Sequence, residues 1–284
     1  MSLAAKLPYD HPYAGGFPGI GSQPLPTDSD CLTYLAAVAA ADGAGVEVGV
    51  AIAVDTFFKA LKATPGLFDA IKASCILCGA RTITGALVPL AGAAPTAQGG
   101  WSSGDYSRTD GMTGDANALY LDTNFSGNSL ASDSVFAFVN GSGFQTDDSG
   151  FKCPIGVFDG NIPSLIEISE YSSGGRRGRV GSTSVVAESA SGILSDCSIA
   201  VSATSNTSLS LYQNGIELDS NSGARLPVLS SDTLHVFRNN RSGTTGTTDA
   251  TINIYIIGDG LPSGSVSALH TAVDNLITAI GNAL

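Results

Sequence analysis

The pattern of apolar residues changes near residue 98 of this chain. Before that point, alanine-rich runs such as LTYLAAVAAA carry apolar residues at helical spacing, and one stripe is formed by Val46, Val50, Val54, Phe57 and Leu61. After it, short alternating runs are separated by clusters of Gly, Asn, Asp and Ser: ALYLDT, SVFAFVN, SLIEISEY, STSVVAE, CSIAVSA, SLSLYQ, TLHVFR and TINIYII. The first pattern predicts helices, and the second predicts the strands of a β-sandwich or jelly roll.

Three helices are predicted in the N-terminal part. Asp30 can cap the first helix, which Gly43 ends. The stripe described above lies on the second helix. The third, LFDAIKASCILC, follows the Pro65-Gly66 break, and GARTITGALVPLAGAAPTAQGG then leads out as a strand or an extended linker.

Two local signals support the organisation of the C-terminal part. In SLSLYQNGIELDS, Asn214 and Gly215 supply the two positive φ angles of a type I′ turn, which predicts a β-hairpin. A C-terminal helix is also predicted, and the apolar stripe that packs it on the sheet consists of Leu269, Val273, Leu276 and Ile280.

Residues 1–30 contain five prolines and four glycines, a mixture that forms neither a helix interior nor a central strand. We therefore predict three parts: an extended arm at 1–30, a small helical anchoring region at 31–98, and a jelly roll with a terminal helix at 99–284. An arm of this composition is usually ordered by a neighbouring subunit, which favours assembly.

The charge of the chain restricts its partners. The net charge is -12 although only 13% of the residues are charged, and the acidic residues concentrate after Gln98. Phosphate recognition requires basic stripes, so nucleic acid and anionic membranes are disfavoured. No apolar stretch reaches the roughly 20 residues of a membrane helix, and the N-terminus lacks the apolar core of a secretory signal. A soluble protein made in the cytoplasm is expected.

The five cysteines are an odd number and widely scattered, which predicts reduced thiols. Cys75 and Cys78 have CxxC spacing, but no second pair or nearby histidine completes a zinc site, so we interpret them as buried packing residues. The three histidines, His11, His235 and His270, stand apart, and no metal or catalytic cluster is predicted.

Four aspartates lie in SGDYSRTDGMTGDANALYLDT: Asp105, Asp110, Asp115 and Asp122. They stand five, five and seven residues apart, which is not the alternate-position spacing of a calcium loop. Turns that lead into the strand ALYLDT are the favoured interpretation. A calcium site completed by other ligands is the alternative.

Several segments, taken in their order along the chain, resemble a known protein family. GDYSR..GMTGD....YLDTNF, SLSLYQNG and IGDGL......ALHTAV...ITAIG resemble, in order and spacing, the concanavalin A-like (laminin-G-like) jelly-roll domain of bacteriophage virion proteins. AIKASCILCGARTITGALVPLAG.APT resembles the helical lead-in of such proteins, so the likeness covers roughly residues 31–284. The resemblance implies two antiparallel sheets packed face to face in tail-fibre, head-fibre or decoration components, some with carbohydrate-binding loops.

The same fold hosts glycoside hydrolases, which place acidic groups on one face of a strand in a pattern like E-x-D-x-E. The nearest stretch here is Glu167–Tyr171, in which Glu167, Ser169 and Tyr171 share one face and Glu170 points the other way. The hydrolase pattern is absent, so we predict that the protein is not an enzyme and has no cofactor or metal.

Candidate ligand-binding residues lie in two polar segments. GGRRGRVG is predicted to be a glycine-rich loop whose guanidinium groups suit an anionic glycan or an acidic neighbouring subunit. RNNRSGTTGTTD is predicted to be a long loop whose side chains hydrogen-bond sugars. A solvated loop without a ligand is the alternative for both. The candidate residues are Tyr171, Arg176, Arg177, Arg179, Arg238, Asn239, Asn240 and Arg241.

Together these features predict a bacteriophage structural protein, a surface-exposed fibre or decoration component of the virion that is released by lysis. Its predicted partners are other virion proteins, further copies of itself with a trimer favoured, and a host surface glycan. A free lectin or a glycan-active enzyme of the same fold is the alternative. A capsid cement protein without a host ligand is the second alternative.

Overall fold

A computed structural model of the chain describes residues 25–131, 133–144, 151–158, 166–171, 175–181, 186–189, 194–224, 230–241 and 246–284. Most of the predicted arm, residues 1–24, lies outside this set. The helices within it are α1 (Ser29–Asp42), α2 (Val48–Ala63), α3 (Leu67–Ala70), α4 (Ile83–Ala86) and α5 (Ser263–Ala283). None of them combines the length and the apolarity that crossing a membrane requires.

The described strands form two sheets. Sheet A consists of β1 (Ile71–Ile76), β2 (Pro89–Ala91), β4 (Tyr106–Ser107), β5 (Gly111–Thr113), β7 (Val135–Ser142), β12 (Cys197–Ser205), β13 (Ser208–Gln213), β14 (Ile216–Asn221) and β17 (Thr251–Gly258). Sheet B consists of β3 (Thr96–Gln98), β6 (Tyr120–Ser126), β8 (Lys152–Phe158), β9 (Ile166–Tyr171), β10 (Gly175–Val180), β11 (Val186–Ser189), β15 (Thr233–Val236) and β16 (Asn239–Arg241).

The order of strands is β14-β13-β12-β7-β17-β1-β2 in sheet A and β11-β10-β9-β8-β15-β6-β3 in sheet B. Neighbouring strands are antiparallel, except that β16 runs parallel to β8. Alternate side chains of both sheets meet in one core, which includes Val139 and Ile199 of sheet A and Ile155 and Ile168 of sheet B. The predicted antiparallel β-sandwich is confirmed.

The central strands of sheet A, β7 and β17, are buried on both faces. Val135, Ala137 and Val139 of β7 face the sandwich core, whereas Phe136 and Phe138 pack against the helices. A strand that is covered on both sides needs apolar side chains at almost every position. This explains why VFAFV and INIYII contain so few polar residues. The helices therefore form a third layer on the outer side of sheet A.

The second and the C-terminal helices are confirmed and pack against each other on this layer. Every residue of the predicted stripe on α5 is at most 1% exposed: Leu269, Val273, Leu276 and Ile280. A hydrogen bond of 2.9 Å between Ser198 Oγ on β12 and His270 Nδ1 adds a polar contact between α5 and sheet A.

The N-cap of the first helix lies two residues earlier than predicted. Asp28, not Asp30, is the N-cap, because its carboxylate accepts hydrogen bonds from the backbone amides of Asp30 and Cys31. Lys62 of α2 forms ion pairs with Asp28 at 2.7 Å and with Asp30 at 2.6 Å. Asp55 Oδ1 accepts hydrogen bonds from the backbone N–H groups of Thr27, at 2.9 Å, and of Asp28, at 2.8 Å. The segment that joins the arm to α1 is thus fixed to α2.

The prediction of a third helix over residues 67–78 is wrong. Only Leu67–Ala70 is helical, and Ile71–Ile76 is strand β1, which pairs with β17 on one side and β2 on the other. A short apolar run that is buried on both faces has no periodicity that separates a strand from a helix, so its partners decide its conformation. Because β1, β2 and β3 belong to the sheets, residues 71–98 contribute to the sandwich itself.

The predicted hairpin is confirmed. Asn214 and Gly215 have φ angles of 51° and 72° and join β13 to β14. The turn also packs against α5, since a Cβ atom at Gly215 would lie 2.9 Å from the Cα atom of Ser267. Glycine is required at this position both by the backbone conformation and by the approach of the helix.

Candidate functional site

The outer face of sheet B carries a connected set of polar side chains. Side chains alternate along a strand, so Ile166 and Ile168 of β9 enter the core whereas Glu167 and Ser169 point outwards. We call this surface the polar face and define it by ten residues: Tyr120, Asp122, Glu167, Ser169, Arg177, Arg179, Glu188, His235, Arg238 and Asn239. The helical layer lies on sheet A, the opposite side of the sandwich.

The glycine-rich segment GGRRGRVG is a strand, so the prediction of a loop there is wrong. Its residues Gly175–Val180 form β10, which pairs with β9 and β11 in continuous antiparallel register. Gly178 faces the core, where a Cβ atom would lie 2.8 Å from Val201 Cγ2, so this glycine makes room for the opposite sheet. The alternation then directs Arg177 and Arg179 outwards.

Each outward arginine lies opposite a glutamate on a neighbouring strand. Arg177 Nε donates to Glu188 Oε2 at 3.0 Å, and its Nη2 atom lies 2.9 Å from the same oxygen. Arg179 Nη1 lies 3.7 Å from Glu167 Oε1. Burial lowers the pKa of Arg179 from its ordinary value, and the adjacent Glu167 carboxylate opposes that shift. The two cations are therefore paired within the sheet.

Glu167 is the centre of the polar face and is only 3% exposed. Its Oε1 atom accepts a hydrogen bond of 2.7 Å from Ser169 Oγ, and Oε2 accepts one of 2.7 Å from Asn239 Nδ2. Asn239 is 2% exposed, and its Oδ1 atom has no hydrogen-bond partner among the described residues. The same holds for Nε of Arg179. An unpaired acceptor and an unpaired donor thus belong to side chains that flank one buried carboxylate.

Asn239 and Glu167 meet across a glycine of β8, Gly156. Gly156 pairs with Glu167 in the β8–β9 register and with Asn239 in the β8–β16 register. A Cβ atom at Gly156 would lie 3.4 Å from Asn239 Cγ and 2.9 Å from Cys153 Sγ. A methyl group at this position would therefore collide with the Cys153 thiol, whereas Asn239 Cγ would lie at ordinary van der Waals distance from it.

β6 and β15 form the other half of the polar face. Arg238, which lies between β15 and β16, contacts side chains of β6 and β15. Its guanidinium carbon lies 3.6 Å from the centroid of the Tyr120 ring, and its Nε atom donates to His235 Nδ1 at 3.0 Å. The His235 ring stacks on Tyr120 with centroids 4.7 Å apart. Stacking of a guanidinium on an aromatic ring holds it in one plane.

His235 is neutral at physiological pH. Burial lowers its pKa to about 4, and the positive charge of Arg238 acts in the same direction. Because Nδ1 accepts the hydrogen bond from Arg238, the neutral ring carries its proton on Nε2, which lies 3.7 Å from Asp122 Oδ2. His235 therefore orients Arg238 without adding a charge.

Arg176 does not lie on the polar face. It is fully buried between the two sheets, where Nη1 contacts Cys197 Sγ at 2.8 Å and Gln213 Oε1 at 3.0 Å. Its guanidinium also donates to the backbone carbonyl of Leu194 and lies 3.8 Å from Glu170 Oε1. A ligand in solution cannot reach this side chain, because alternation along β10 directs it into the core.

The remaining candidate residues are dispersed. Asn240 Nδ2 donates to the backbone carbonyl of Thr233 at 2.9 Å, which supports the strand rather than an exposed loop. The side chains of Tyr171 and Arg241 lie outside the described residues. Of the eight candidates, the structure gathers Arg177, Arg179, Arg238 and Asn239 on the polar face.

The polar face also contains residues that were not predicted to bind a ligand: Tyr120, Asp122, Glu167, Ser169, Glu188 and His235. In the sequence, Glu167 belongs to the stretch Glu167–Tyr171, whose alternation does not match the hydrolase pattern. The alternation Arg177-Gly178-Arg179 was the signal available for β10, since period-2 spacing indicates a strand. The glycines of that segment favoured a loop instead.

The other predicted chemical features have structural roles. All five cysteines are buried and unpaired by disulfides. Burial raises the pKa of Cys75 and of Cys78 to about 12, as expected of packing residues. No group of three or more His, Cys, Asp or Glu side chains in the described part of the chain is arranged to hold a metal ion.

The four aspartates of the segment 103–123 each accept local hydrogen bonds, as turn-forming aspartates do. Their partners are the hydroxyl of Ser102 for Asp105, the hydroxyls of Ser107 and Thr109 for Asp110, three successive backbone amides for Asp115, and the backbone amide of Asn124 for Asp122. The hydrogen bond from Ser107 lowers the pKa of Asp110. These contacts favour the interpretation as turns.

Comparison with known proteins gives likenesses in structure alone. No protein-family profile and no curated protein matches the sequence. A Trypanosoma rangeli sialidase matches 80% of this chain and 39% of its own, with 10% identity and a TM-score of 0.49. The Ruminococcus gnavus IT-sialidase CBM40 matches 50% and 85%, with 13% identity and a TM-score of 0.42.

The NanB sialidase of Streptococcus pneumoniae matches 49% of this chain with 15% identity and a TM-score of 0.40, and the chain spans about 24% of that protein. These values concern the arrangement of strands and carry no argument about function.

Proposed function

We propose that this protein binds carbohydrate through the polar face of sheet B and catalyses no reaction. The observation that carries the proposal is the asymmetry of the sandwich. Helices cover the outer side of sheet A, whereas the outer side of sheet B carries arginine, glutamate, serine and asparagine side chains within contact distance of one another. Fixed planar groups of this kind form the hydrogen bonds that sugar hydroxyls require.

The arrangement of the carboxylates supports binding without hydrolysis. Glycosidases place two carboxyl groups on either side of the scissile bond, about 5–9.5 Å apart. On β9, Glu167 and Glu170 point to opposite sides of the strand, and Glu170 is buried beside Arg176. Both oxygens of Glu167 already accept hydrogen bonds, and Glu188 pairs with Arg177. These carboxylates hold neighbouring side chains in place.

We further propose that the protein is a structural component of a bacteriophage particle, assembled from several copies and attached by its N-terminal side. The described chain begins at Leu25 and is fixed to α2 by Asp55 and Lys62. This attachment lies on the helical side of the sandwich, opposite the polar face, so an anchored chain would present the polar face outwards. Several copies would raise the avidity of a weak sugar site by about 10² to 10⁴.

The test of carbohydrate binding uses the full chain on a panel of immobilised neutral and acidic polysaccharides. The double variant Arg177→Gln/Glu188→Gln removes one ion pair of the polar face without changing the net charge, and it should weaken binding. Lys72→Gln/Asp259→Asn is the matched control, because that pair is similarly exposed and lies elsewhere, at 3.1 Å. Absence of binding to every polysaccharide, or equal binding by both variants, would refute the proposal.

Incorporation into particles is a separate experiment. Deletion of residues 1–24 leaves the contacts of Asp28 with Lys62 intact, so the shortened chain should fold but fail to enter virions. Mass spectrometry of purified virions should detect the complete chain and not the shortened one. Finding neither chain in virions, while the isolated protein binds sugar, would favour a free lectin. Equal incorporation of both would exclude the arm as the anchor.

A further inference from the structure

The charges of the polar face are balanced within the sheet. Three of its side chains are basic and three are acidic: Arg177, Arg179 and Arg238, with Asp122, Glu167 and Glu188. The cross-strand register places Arg177 opposite Glu188 and Arg179 opposite Glu167. His235 adds no charge, since its pKa is about 4. A ligand approaching β9, β10 and β11 therefore meets paired charges, whereas Arg238 is stacked on Tyr120 and donates to the neutral His235.

Paired charges disfavour an anionic ligand. Nε and Nη2 of Arg177 are both directed at Glu188 Oε2, so a sulfate or carboxylate would have to displace that glutamate or be placed beside it. Like charges in contact repel each other, and a buried carboxylate such as Glu167 cannot leave without exchange of its hydrogen bonds. A sugar hydroxyl meets no such obstacle, because it donates to a carboxylate and accepts from a guanidinium at the same time.

Two buried atoms without hydrogen-bond partners among the described residues also favour a hydroxyl group over an anionic oxygen. Oδ1 of Asn239 is an acceptor and Nε of Arg179 is a donor, and neither has a partner among the described residues. Both side chains contact the Glu167 carboxylate, Asn239 at 2.7 Å and Arg179 at 3.7 Å. A hydroxyl group combines one donor with acceptor lone pairs, whereas an anionic oxygen offers acceptors only. Leaving a buried polar atom unpaired is costly, so these two atoms favour a hydroxyl partner.

We propose that the polar face is selective for uncharged sugars and rejects sulfated, uronic and sialylated ones, with the Arg177–Glu188 and Arg179–Glu167 pairs as the selectivity determinants. This inference rests on the proposed carbohydrate binding. It replaces the anionic glycan that the arginines suggested in the sequence, because the structure gives each of these arginines an acidic partner on the next strand.

The experiment measures the binding of the full chain to neutral polysaccharides (dextran, mannan and galactan) and to acidic ones (heparin, alginate and polysialic acid) at low and at 1 M salt. The wild type should bind at least one neutral polymer with little dependence on salt and should bind the acidic polymers measurably but much more weakly. Exposed charge pairs contribute little and are screened by salt, so Glu188→Gln should raise binding to acidic polymers by about two- to fivefold at low salt only.

Asp259→Asn is the matched control for Glu188→Gln. Both carboxylates are 39% exposed and paired with a cation, and each substitution removes one negative charge. If Asp259→Asn raises acidic binding as much as Glu188→Gln, net charge explains the effect and the inference is overturned.

Stronger binding of acidic polymers by the wild type would also overturn the inference, while leaving carbohydrate binding itself established. Binding of no polymer would overturn both proposals. An unchanged preference in Glu188→Gln would remove the ion pair as the determinant.

Discussion

The buried arginine of β10 makes the sharpest test of how the sandwich is held together. Arg176 is 0% exposed and its cross-strand neighbour Glu170 is 1% exposed, with 3.8 Å between Nη2 and Oε1. Arg176→Met keeps an unbranched side chain of similar reach but removes the positive charge. Glu170 then remains in the core and loses its contact with the Arg176 guanidinium.

The expected loss follows from the contacts that survive the substitution. Gln213 Oε1 still accepts from the Leu194 amide, and the Leu194 carbonyl still accepts from Cys197 Sγ, so neither becomes an unpaired atom. The cost is therefore mainly that of the buried charge. Removing one partner of a buried ion pair destabilises a protein by about 3–5 kcal/mol. That is a large share of a total stability of about 5–15 kcal/mol.

Urea unfolding, followed by the fluorescence of the single tryptophan, measures this loss. Trp101 packs on Phe237 with ring centroids 5.2 Å apart, so its emission reports the loss of the core. The double variant Arg176→Met/Glu170→Leu removes both charges and should recover to within about 1–2 kcal/mol of the wild type. Arg177→Met, one residue along the same strand, is the control. Its pair with Glu188 is exposed, and exposed pairs contribute about 0–1 kcal/mol.

Two results would refute the reasoning. One is a loss below about 1 kcal/mol for Arg176→Met, which would mean that Glu170 is not held charged in the core. The other is a double variant that is as unstable as Arg176→Met, which would assign the loss to packing volume. Arg176→Met should also leave sugar binding unchanged in the fraction that is folded, because Arg176 does not lie on the polar face.

Three further predictions concern protonation, close packing and thiol access. Burial holds the pKa of His235 near 4 in the folded protein against 6.5 as its ordinary value, so the unfolded chain binds more protons between these pH values and stability falls as the pH drops through them. His235→Gln should lack this pH-dependent loss of stability. A difference in unfolding free energy between the two proteins that stays constant from pH 7 to pH 4 would contradict the prediction. Gly156→Ala should cost about 1–3 kcal/mol because the added Cβ atom would lie 2.9 Å from Cys153 Sγ and displace that buried thiol, whereas Gly264→Ala, with nothing within 4 Å, should be neutral or slightly stabilising; equal unfolding midpoints would mean that the thiol shifts without cost. No thiol of the native protein should react with Ellman's reagent at pH 8 and all five should react in denaturant, since all are buried; a fast-reacting thiol in the native state would be inconsistent with this packing.

Local patterns predicted the elements whose conformation depends on their own residues. The Asn214-Gly215 turn, the stripe of α5 and the alternating run of β13 are all confirmed, because φ preference and side-chain period act within a few residues. The antiparallel sandwich followed from the number and spacing of such runs. The grouping of charges on one face did not follow, since it depends on which strands become neighbours.

The misassigned segments show where tertiary contacts decide. β1 was predicted helical, but its pairing with β17, some 180 residues along the chain, makes it a central strand. β10 was predicted to be a loop because of its glycines, yet Gly178 is the residue that makes room for Val201 of the facing sheet. β8 was not among the predicted strands, and it contains Pro154 and Gly156, residue types that are disfavoured in the interior of a sheet.

The sequence by itself determined that this protein is an acidic, strand-rich chain with a helical cover at its beginning and end. It also determined which residues alternate together, because the two-residue period of a strand is a local property. Only the tertiary structure decided that Arg176 lies in the core while Arg177 and Arg179 lie outside, and that Asn239 meets Glu167 across 72 residues of chain. The physical reason is that the period divides side chains between two faces, whereas the packing of the other sheet decides which face is buried.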